Sequence, residues 1–354
     1  MRAAPQRQAP RTRETWPSSG LENLAACPAC GAAGRTPLHA GLVDTLYGVP
    51  GTWTLHCCGI CRAVYLSPRP TAATIGDAYP VYYYTHAAAL PTEAIVTPWR
   101  RIRQAVRNGY FAVRYGYELR SAWHVGGRAL ALTPALRQRL DLSIRHLTRA
   151  TGSRLLDVGC GNGAFLMRMR SLGWRGTGVD TDPKAVTATR AMGLDARLGT
   201  IRASSFPDGL FDAVTLSHVI EHFHDPVAQL EECYRVLRPG GVLWISTPNL
   251  AGTGYRRYGR NWRGLEPPRH LVLFTPGALS RLLVRAGFVV VAQPPSVGAR
   301  WMFEESEAIR REMQPSAQGL LAVFEWHVRV WIADSRALLN AASAEEIVVI
   351  ATKP

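Results

Sequence analysis

The sequence predicts an α/β protein: a mostly parallel, doubly wound sheet, preceded by a small cysteine-bearing unit and a run of basic helices. Three observations predict it. From residue 154 onward, short apolar runs alternate with amphipathic segments, the pattern of strands joined by crossover helices. A glycine-rich turn, Gly159-Cys160-Gly161-Asn162-Gly163, follows the first of these strands, where parallel sheets meet their ligands. Two Cys-x-x-Cys pairs stand near the N-terminus, and such pairs form metal knuckles.

Taken in order, residues 1–25 read as a polar, basic tail with no apolar core, unlike a secretory signal. Residues 26–70 hold the cysteine pairs and close on Ser67-Pro68-Arg69-Pro70, an extended segment because proline and the residue before it avoid the helical region. Residues 71–150 form a tyrosine-rich and basic helical cap, with Tyr79, Tyr82, Tyr83 and Tyr84 clustered at its start. The core, 151–295, opens with a strand over 154–158 and a helix ending at Gly173. A strand over 175–180 and a helix bounded by Pro183 and Gly193 follow, in keeping with proline at helix starts and glycine at helix ends. Further strands are expected at Leu194–Gly199, 211–217 and 241–249, with a helix from Asp225 to the Pro239-Gly240-Gly241 stop between the last two. Residues 250–275 interrupt the alternation as an insertion on the substrate side. Residues 296–354 are expected to supply helices and a last strand, Glu345-Glu346-Ile-Val-Val-Ile-Ala-Thr.

The 354 residues exceed a typical single domain of ~100–200. Hydrophobic residues at 47% and charged residues at 19% exclude wholesale disorder. No run approaches the ~18 apolar residues of a spanning helix. The net charge of +15 would suit a nucleic acid, an anionic membrane surface or a phosphorylated partner. Lys184 and Lys353 are the only lysines among 41 basic residues, and so extreme a ratio also reflects a GC-rich coding bias. Over 98–150 eleven arginines face Glu118 and Asp141. These helices, carrying Trp99, Tyr110, Phe111, Tyr115, Tyr117 and Trp123, suit one packed and one solvated face, or peripheral contact with a membrane or a second subunit. The odd count of seven cysteines and the absence of a signal favour a reducing cytoplasm and a bound metal over a disulfide framework.

The glycine turn carries the most chemistry. Glycines there let a ligand approach the backbone, and the following helix offers free N–H donors. A dinucleotide loop shares the Gly159, Gly161, Ala164 spacing. Asp157, two residues before the first glycine, argues against that reading, because a carboxylate repels a pyrophosphate. It suits the ammonium and sulfonium of S-adenosylmethionine. Asp180 ends the next strand, 23 residues on, the place of a carboxylate that accepts ribose hydroxyls.

Leu155-Leu-Asp-Val-Gly-Cys-Gly-Asn-Gly163, Gly178-Val-Asp-Thr-Asp-Pro183, the Phe206–His222 segment and Arg235-Val-Leu-Arg-Pro-Gly-Gly241 through Asn249 occur in that order. On these motifs the sequence resembles the class I S-adenosylmethionine-dependent methyltransferases, over about 154–295 and the final strand. The broad group near quinone-biosynthesis and polysaccharide-modifying enzymes is the nearer resemblance, and the zinc-knuckle arrangement is also similar to sugar C-methyltransferases. The resemblance implies a seven-stranded Rossmann-like sheet with a reversed last strand. It implies Asp157, Gly159, Cys160, Gly161 and Gly163 near the methionine moiety, Asp180 and Thr181 at the ribose, and Ser217 and His218 beside the sulfonium. Thr200 stands where many relatives have an acidic residue that touches adenine.

Cys27, Cys30, Cys58 and Cys61 have the spacing of a zinc ribbon with a long loop between knuckles. Zinc would staple a unit too small for its own core. His218-Val-Ile-Glu221-His222 matches a metalloprotease pattern, but it opens directly after a strand and Asp225-Pro226 curtails any long helix. His222 and His270 are the candidate general bases. The insertion carries Arg256, Arg257, Arg260, Arg263 and Arg269 against Glu266, and guanidinium forks suit phosphate.

The expected activity is methyl transfer to a small molecule, glycan precursor or lipid-type acceptor, with an anionic, phosphate-bearing acceptor favoured by the arginines. One competing reading is an RNA methyltransferase whose ribbon and arginines grip phosphates. Another is a methyltransferase-like binding protein without catalysis.

Overall fold

A computed structural model describes residues 15–79, 97–148, 152–313 and 320–354. Tyr82, Tyr83 and Tyr84, expected beside the site, lie outside the described residues. The elements in chain order are β1 (Leu21–Glu22), β2 (Arg35–Leu42), β3 (Trp53–Cys58), β4 (Val64–Leu66), β5 (Arg69–Pro70), α1 (Pro98–Tyr115), α2 (His124–Ala131) and α3 (Pro134–Ser143). The core continues with β6 (Arg154–Val158), α4 (Ala164–Ser171), β7 (Arg175–Asp180), α5 (Pro183–Ala191), β8 (Asp195–Leu198), β9 (Phe211–Ser217), α6 (Pro226–Val236) and β10 (Leu237–Pro248). The last third holds α7 (Thr253–Tyr258), β11 (Val272–Leu273), α8 (Pro276–Arg285), β12 (Val289–Ala292), α9 (Ala299–Met313), α10 (Leu320–Leu339) and β13 (Glu346–Thr352).

The main sheet has seven strands in the order β12-β13-β10-β9-β6-β7-β8. β9, β6, β7 and β8 pair in parallel, and β13 runs antiparallel to β12. This is the Rossmann-like sheet with a reversed last strand that the motifs imply. β10 begins at Leu237 rather than at the expected 241. Gly240 N donates to Lys353 O and Lys353 N to Gly241 O, so pairing with the chain end extends the strand through the turn.

Two compact units account for the chain. One comprises residues up to 84 with 217–234 and 245–352, the other 85–216 with 235–244 and 353–354. The second has a core in which Tyr110, Phe111, Tyr115 and Tyr117 of the basic segment pack with Ile144, Leu155, Leu166, Met169 and Trp174. Tyr117 donates to Leu147 O at 2.8 Å and accepts from Trp174 Nε1 at 2.9 Å, which satisfies both buried polar atoms. Four of the six aromatic side chains noted in this basic segment therefore face inward, while Trp99 (66% exposed) and Trp123 (51%) face outward. No helix among the described residues is long and apolar enough to cross a membrane.

The first unit holds a four-stranded sheet, β11-β4-β3-β2, and a two-stranded β1-β5 pair. Residues 16–22, expected within the polar tail, are ordered. Trp16 is buried edge-on to Trp53, 5.6 Å between ring centroids, and Leu21 pairs with Pro70. β11 comes from the insertion: Val272 and Leu273 pair antiparallel with Tyr65 and Val64 of the cysteine-bearing unit.

Candidate cofactor loop and histidine–carboxylate cluster

In the second unit β6 delivers Asp157 and the glycine turn to the carboxyl end of the parallel strands. Gly159 N and Cys160 N donate to Val179 O at 2.7 and 3.2 Å, tying the turn to β7. Gly163 sits at φ +72°, and a Cβ there would lie 2.8 Å from Thr189 Oγ1, so the entry to α4 excludes any side chain. Gly178 matters for the same reason: its Cβ would lie 2.6 Å from Cys160 Sγ. Burial pushes the Cys160 thiol up to about 12, leaving it an inert packing group.

Asp180 links the two strand-end loops. Its Oδ2 accepts from Gly161 N at 2.9 Å and its Oδ1 from Asp182 N at 2.9 Å. Thr181, at the same strand end, is exposed.

Asp157 is placed differently from the sequence expectation. It is 1% exposed, and Arg145 Nη1 donates to its Oδ1 in a short ion pair. Thr215 Oγ1 also bonds that oxygen, at 3.0 Å. The Arg145 guanidinium lies 3.5 Å from the Phe165 ring centroid and 5.4 Å from that of Trp244, a cation–π stack. Burial raises the Asp157 pKa despite Arg145 and Thr215. The carboxylate expected to await a cationic ligand is thus matched within the protein. Arg145 and His146 both adopt positive φ, 52° and 56°, a conformation costly for non-glycine residues and typical of functional surroundings.

In the first unit His218 follows β9 directly with φ +55°. Its Nδ1 is 3.5 Å from Glu221 Oε1 and its Nε2 3.2 Å from Glu346 Oε1. Burial opposes its charged form, but the two carboxylates outweigh it and raise its pKa well above the ordinary imidazole value. Glu221 also accepts from Thr247 Oγ1 at 2.9 Å, and although burial opposes ionisation, its histidine neighbours hold it down to about 2. Residues 220–222 form a single 3-10 turn, not the helix a metalloprotease motif needs.

The two candidate bases differ. His270 is 5% exposed, its Nδ1 bonds Gly264 O at 2.7 Å, and burial pushes its pKa down to about 4. It is a neutral strut of the insertion. His222 is half-buried, with Nδ1 2.9 Å from Arg269 O and 3.0 Å from Tyr79 Oη. A neutral ring donates from Nδ1 to that carbonyl, so Nε2 keeps its lone pair. Glu221, His222 and His270 bring ligand-type atoms within 4.8 Å of one another.

Three of the five insertion arginines, Arg260, Arg263 and Arg269, are engaged within the protein. Arg269 is 0% exposed and forks onto Asp44, Nη1 and Nη2 each at 2.8 Å, while its Nε bonds Glu266 at 2.8 Å. Arg263 pairs with the other Glu266 oxygen. Arg260 donates to Gly41 O at 3.2 Å. Burial opposes ionisation of Glu266, but Arg263 and Arg269 hold it well below the usual carboxylate range.

The four N-terminal cysteines converge. Cys27 Sγ lies 3.6 Å from Cys61 Sγ, and Cys30 Sγ 3.6 Å from Cys58 Sγ. A tetrahedron with ~2.3 Å zinc–sulfur bonds has edges of about 3.8 Å, so the donor set fits zinc. The knuckles repeat one another: Gly31 N donates to Cys27 O and Arg62 N to Cys58 O, with Gly31 and Arg62 both at positive φ.

Arg145, Asp44 and Glu346 belong to these sites, yet the sequence does not single them out. Arg145 is one of many arginines, and Asp44 lies 225 residues from the side chain it binds.

Residues 131–293 match a family described as a methyltransferase domain. A ubiquinone biosynthesis O-methyltransferase of Xanthomonas oryzae pv. oryzae is 40% identical over 126 residues, 34% of this chain and 51% of its own length. A malonyl-[acyl-carrier protein] O-methyltransferase of Serratia marcescens is 37% identical over 127 residues, 35% and 49% of the two chains. The chain thus spans about half the length of these curated relatives. Among solved structures, an S-adenosylmethionine-dependent methyltransferase from Mesorhizobium loti aligns with TM-score 0.42 at 17% identity, over 61% of this chain and 97% of that one, a likeness too distant to add to the case. Ordered motifs and the seven-stranded topology agree with the family match: residues 131–293 are similar to a methyltransferase domain, and their motifs resemble those of the class I S-adenosylmethionine-dependent enzymes.

Proposed function

We propose that the protein transfers the methyl group of S-adenosylmethionine to a hydroxyl of a small-molecule or lipid-type acceptor. The glycine turn at the end of β6, with Asp180 accepting from Gly161 N, carries this reading. The O-methyltransferase names of the partial relatives support this acceptor class. When bound, the cofactor supplies an electrophilic methyl on sulfur. Gly159, Cys160 and Gly161 would line it with backbone, and Asp180 would take its ribose hydroxyls. Asp157 acts one step back, holding the turn through Arg145 and Thr215.

His222 is the residue with geometry for proton removal, since Nδ1 is oriented by Arg269 O and Nε2 is left basic. The pairing of Arg263 and Arg269 with carboxylates removes the main support for a phosphate-gripping insertion, and with it the RNA-directed reading. The four cysteines hold a structural zinc. Seven cysteines with no disulfide among them suit a reducing cytoplasm.

Calorimetric titration with S-adenosylmethionine tests the core of this reading. The wild type is expected to bind one cofactor, and Asp180→Ala to weaken binding about 10–100-fold, the loss of a charge-assisted contact. Equal affinity in the variant, or no binding by the wild type, overturns the assignment. Labelled cofactor incubated with fractionated extract then identifies the acceptor pool.

A further inference from the structure

Outside the residues assigned above, the second unit carries a cleft of about 430 Å³ between α1, the segment after it and the far half of α4. Arg107, Arg120 and Arg168 line it, with Asn108, Ser143 and Ser171 beside them. Phe111, Leu119 and Leu172 give it an apolar wall. None of these residues belongs to the glycine turn or to the Asp157 and Asp180 strand ends.

Charge sets this cleft apart. Among the described residues no carboxylate pairs with Arg107, Arg120 or Arg168. Arg107 donates to the neutral Gln104 Oε1, and Arg168 Nη1 to the Ser143 carbonyl at 3.0 Å. Glu118 is the one acid in the lining. The like charges feel one another: burial lowers the Arg168 pKa, and Arg107 and Arg145 lower it further. Arg263 and Arg269 of the insertion, by contrast, are settled by Glu266 and Asp44. Three guanidiniums without a carboxylate therefore face one cavity, an arrangement that favours an anion there.

We propose that this cleft binds the phosphate group of an amphiphilic small molecule, its oxygens on the guanidinium forks of Arg107, Arg120 and Arg168 and its apolar part on Phe111, Leu119 and Leu172. Guanidinium forks match phosphate geometry bidentately. Asn108 Nδ2 donates one proton to Arg120 O and keeps a second for a further bond. The site is independent of methyl transfer, although a ligand there would bridge the cap to the helix that starts at the glycine turn.

The test is calorimetry on the full chain at constant ionic strength, with inorganic phosphate and with dihexanoyl phosphatidic acid as probes. Saturable one-site binding is expected, weakened at least tenfold in the Arg107→Gln, Arg168→Gln double variant. The same variant, relieved of like-charge repulsion, should melt no lower than wild type without phosphate and lose the rise in Tm that phosphate gives. Tighter binding of the phosphatidate than of phosphate is expected from the apolar wall, and equal binding overturns the amphiphile in favour of a free phosphate group. No saturable binding of either probe overturns the proposal, as does unchanged binding in the double variant. Should that variant fail to fold, Arg107→Lys keeps the charge but loses the fork, and unchanged phosphate affinity there overturns the proposal equally.

Discussion

Two buried guanidiniums, one in each unit, solve the same problem differently. Arg269 sits in a balanced set: Arg263 and Arg269 against Glu266 and Asp44. Arg145 meets one carboxylate, Asp157, and completes its surroundings with Thr215 and the Phe165 and Trp244 rings. The first arrangement stays ionised: Glu266 is held well below the ordinary range. In the second, burial wins and Asp157 is raised. The contrast teaches that a buried carboxylate is not by itself a ligand site. Its partner count decides whether its charge is available, spent or suppressed.

The largest break in this comparison is metal removal. Structural zinc contributes roughly 10 kcal/mol or more to small cysteine units, and Asp44 lies between the two strands, β2 and β3, that separate the knuckles. Chelation should melt the four-stranded sheet and free Arg269, seen as loss of protection at residues 42–66 in hydrogen exchange, with residues 154–180 retained. Next is Arg269→Ala, which takes the one guanidinium from Asp44 and leaves Glu266 with Arg263 alone, and should cost about 3–5 kcal/mol in denaturant unfolding. Arg145→Ala should cost less, about 1–3 kcal/mol, because Asp157 can take up a proton and keep its Thr215 bond. Equal losses would erase the distinction.

The smallest effect is the most diagnostic. Glu266, with its folded pKa depressed, contributes stability that is full above its unfolded value of ~4.5 and is lost as pH falls through the folded value. Asp157, with its folded pKa raised, has the opposite sign: its contribution improves as pH falls from the raised value toward ~3.9. Carboxyl titration by carbon NMR should show Asp157 protonating first. The reverse order would sink the contrast.

Much of the core is legible in the sequence because its signals are local. The 154–158 and 175–180 strands, the Pro183 helix start and the glycine turn are each set by neighbours within a few residues, and the structure has them at those places. The partners of the site's charges are not legible. Asp44 and Arg269 meet across 225 positions, and Val272-Leu273 is too short for any periodicity to reveal a strand. Arg145 is one of eleven arginines in its segment, and nothing local marks it as the partner of Asp157. The insertion reads as a substrate grip in the sequence because composition shows arginines but not the acids that neutralise them.

The fourth strand of the small sheet has a further consequence during synthesis. Both knuckles leave the ribosome early, yet β11, which borders β4, is about 200 positions downstream. A nascent chain therefore exposes the β4 edge until residues 272–273 have emerged. Unpaired edges of this kind are where growing chains associate wrongly, so the protein's yield in a cell is tied to how fast translation reaches residue 273.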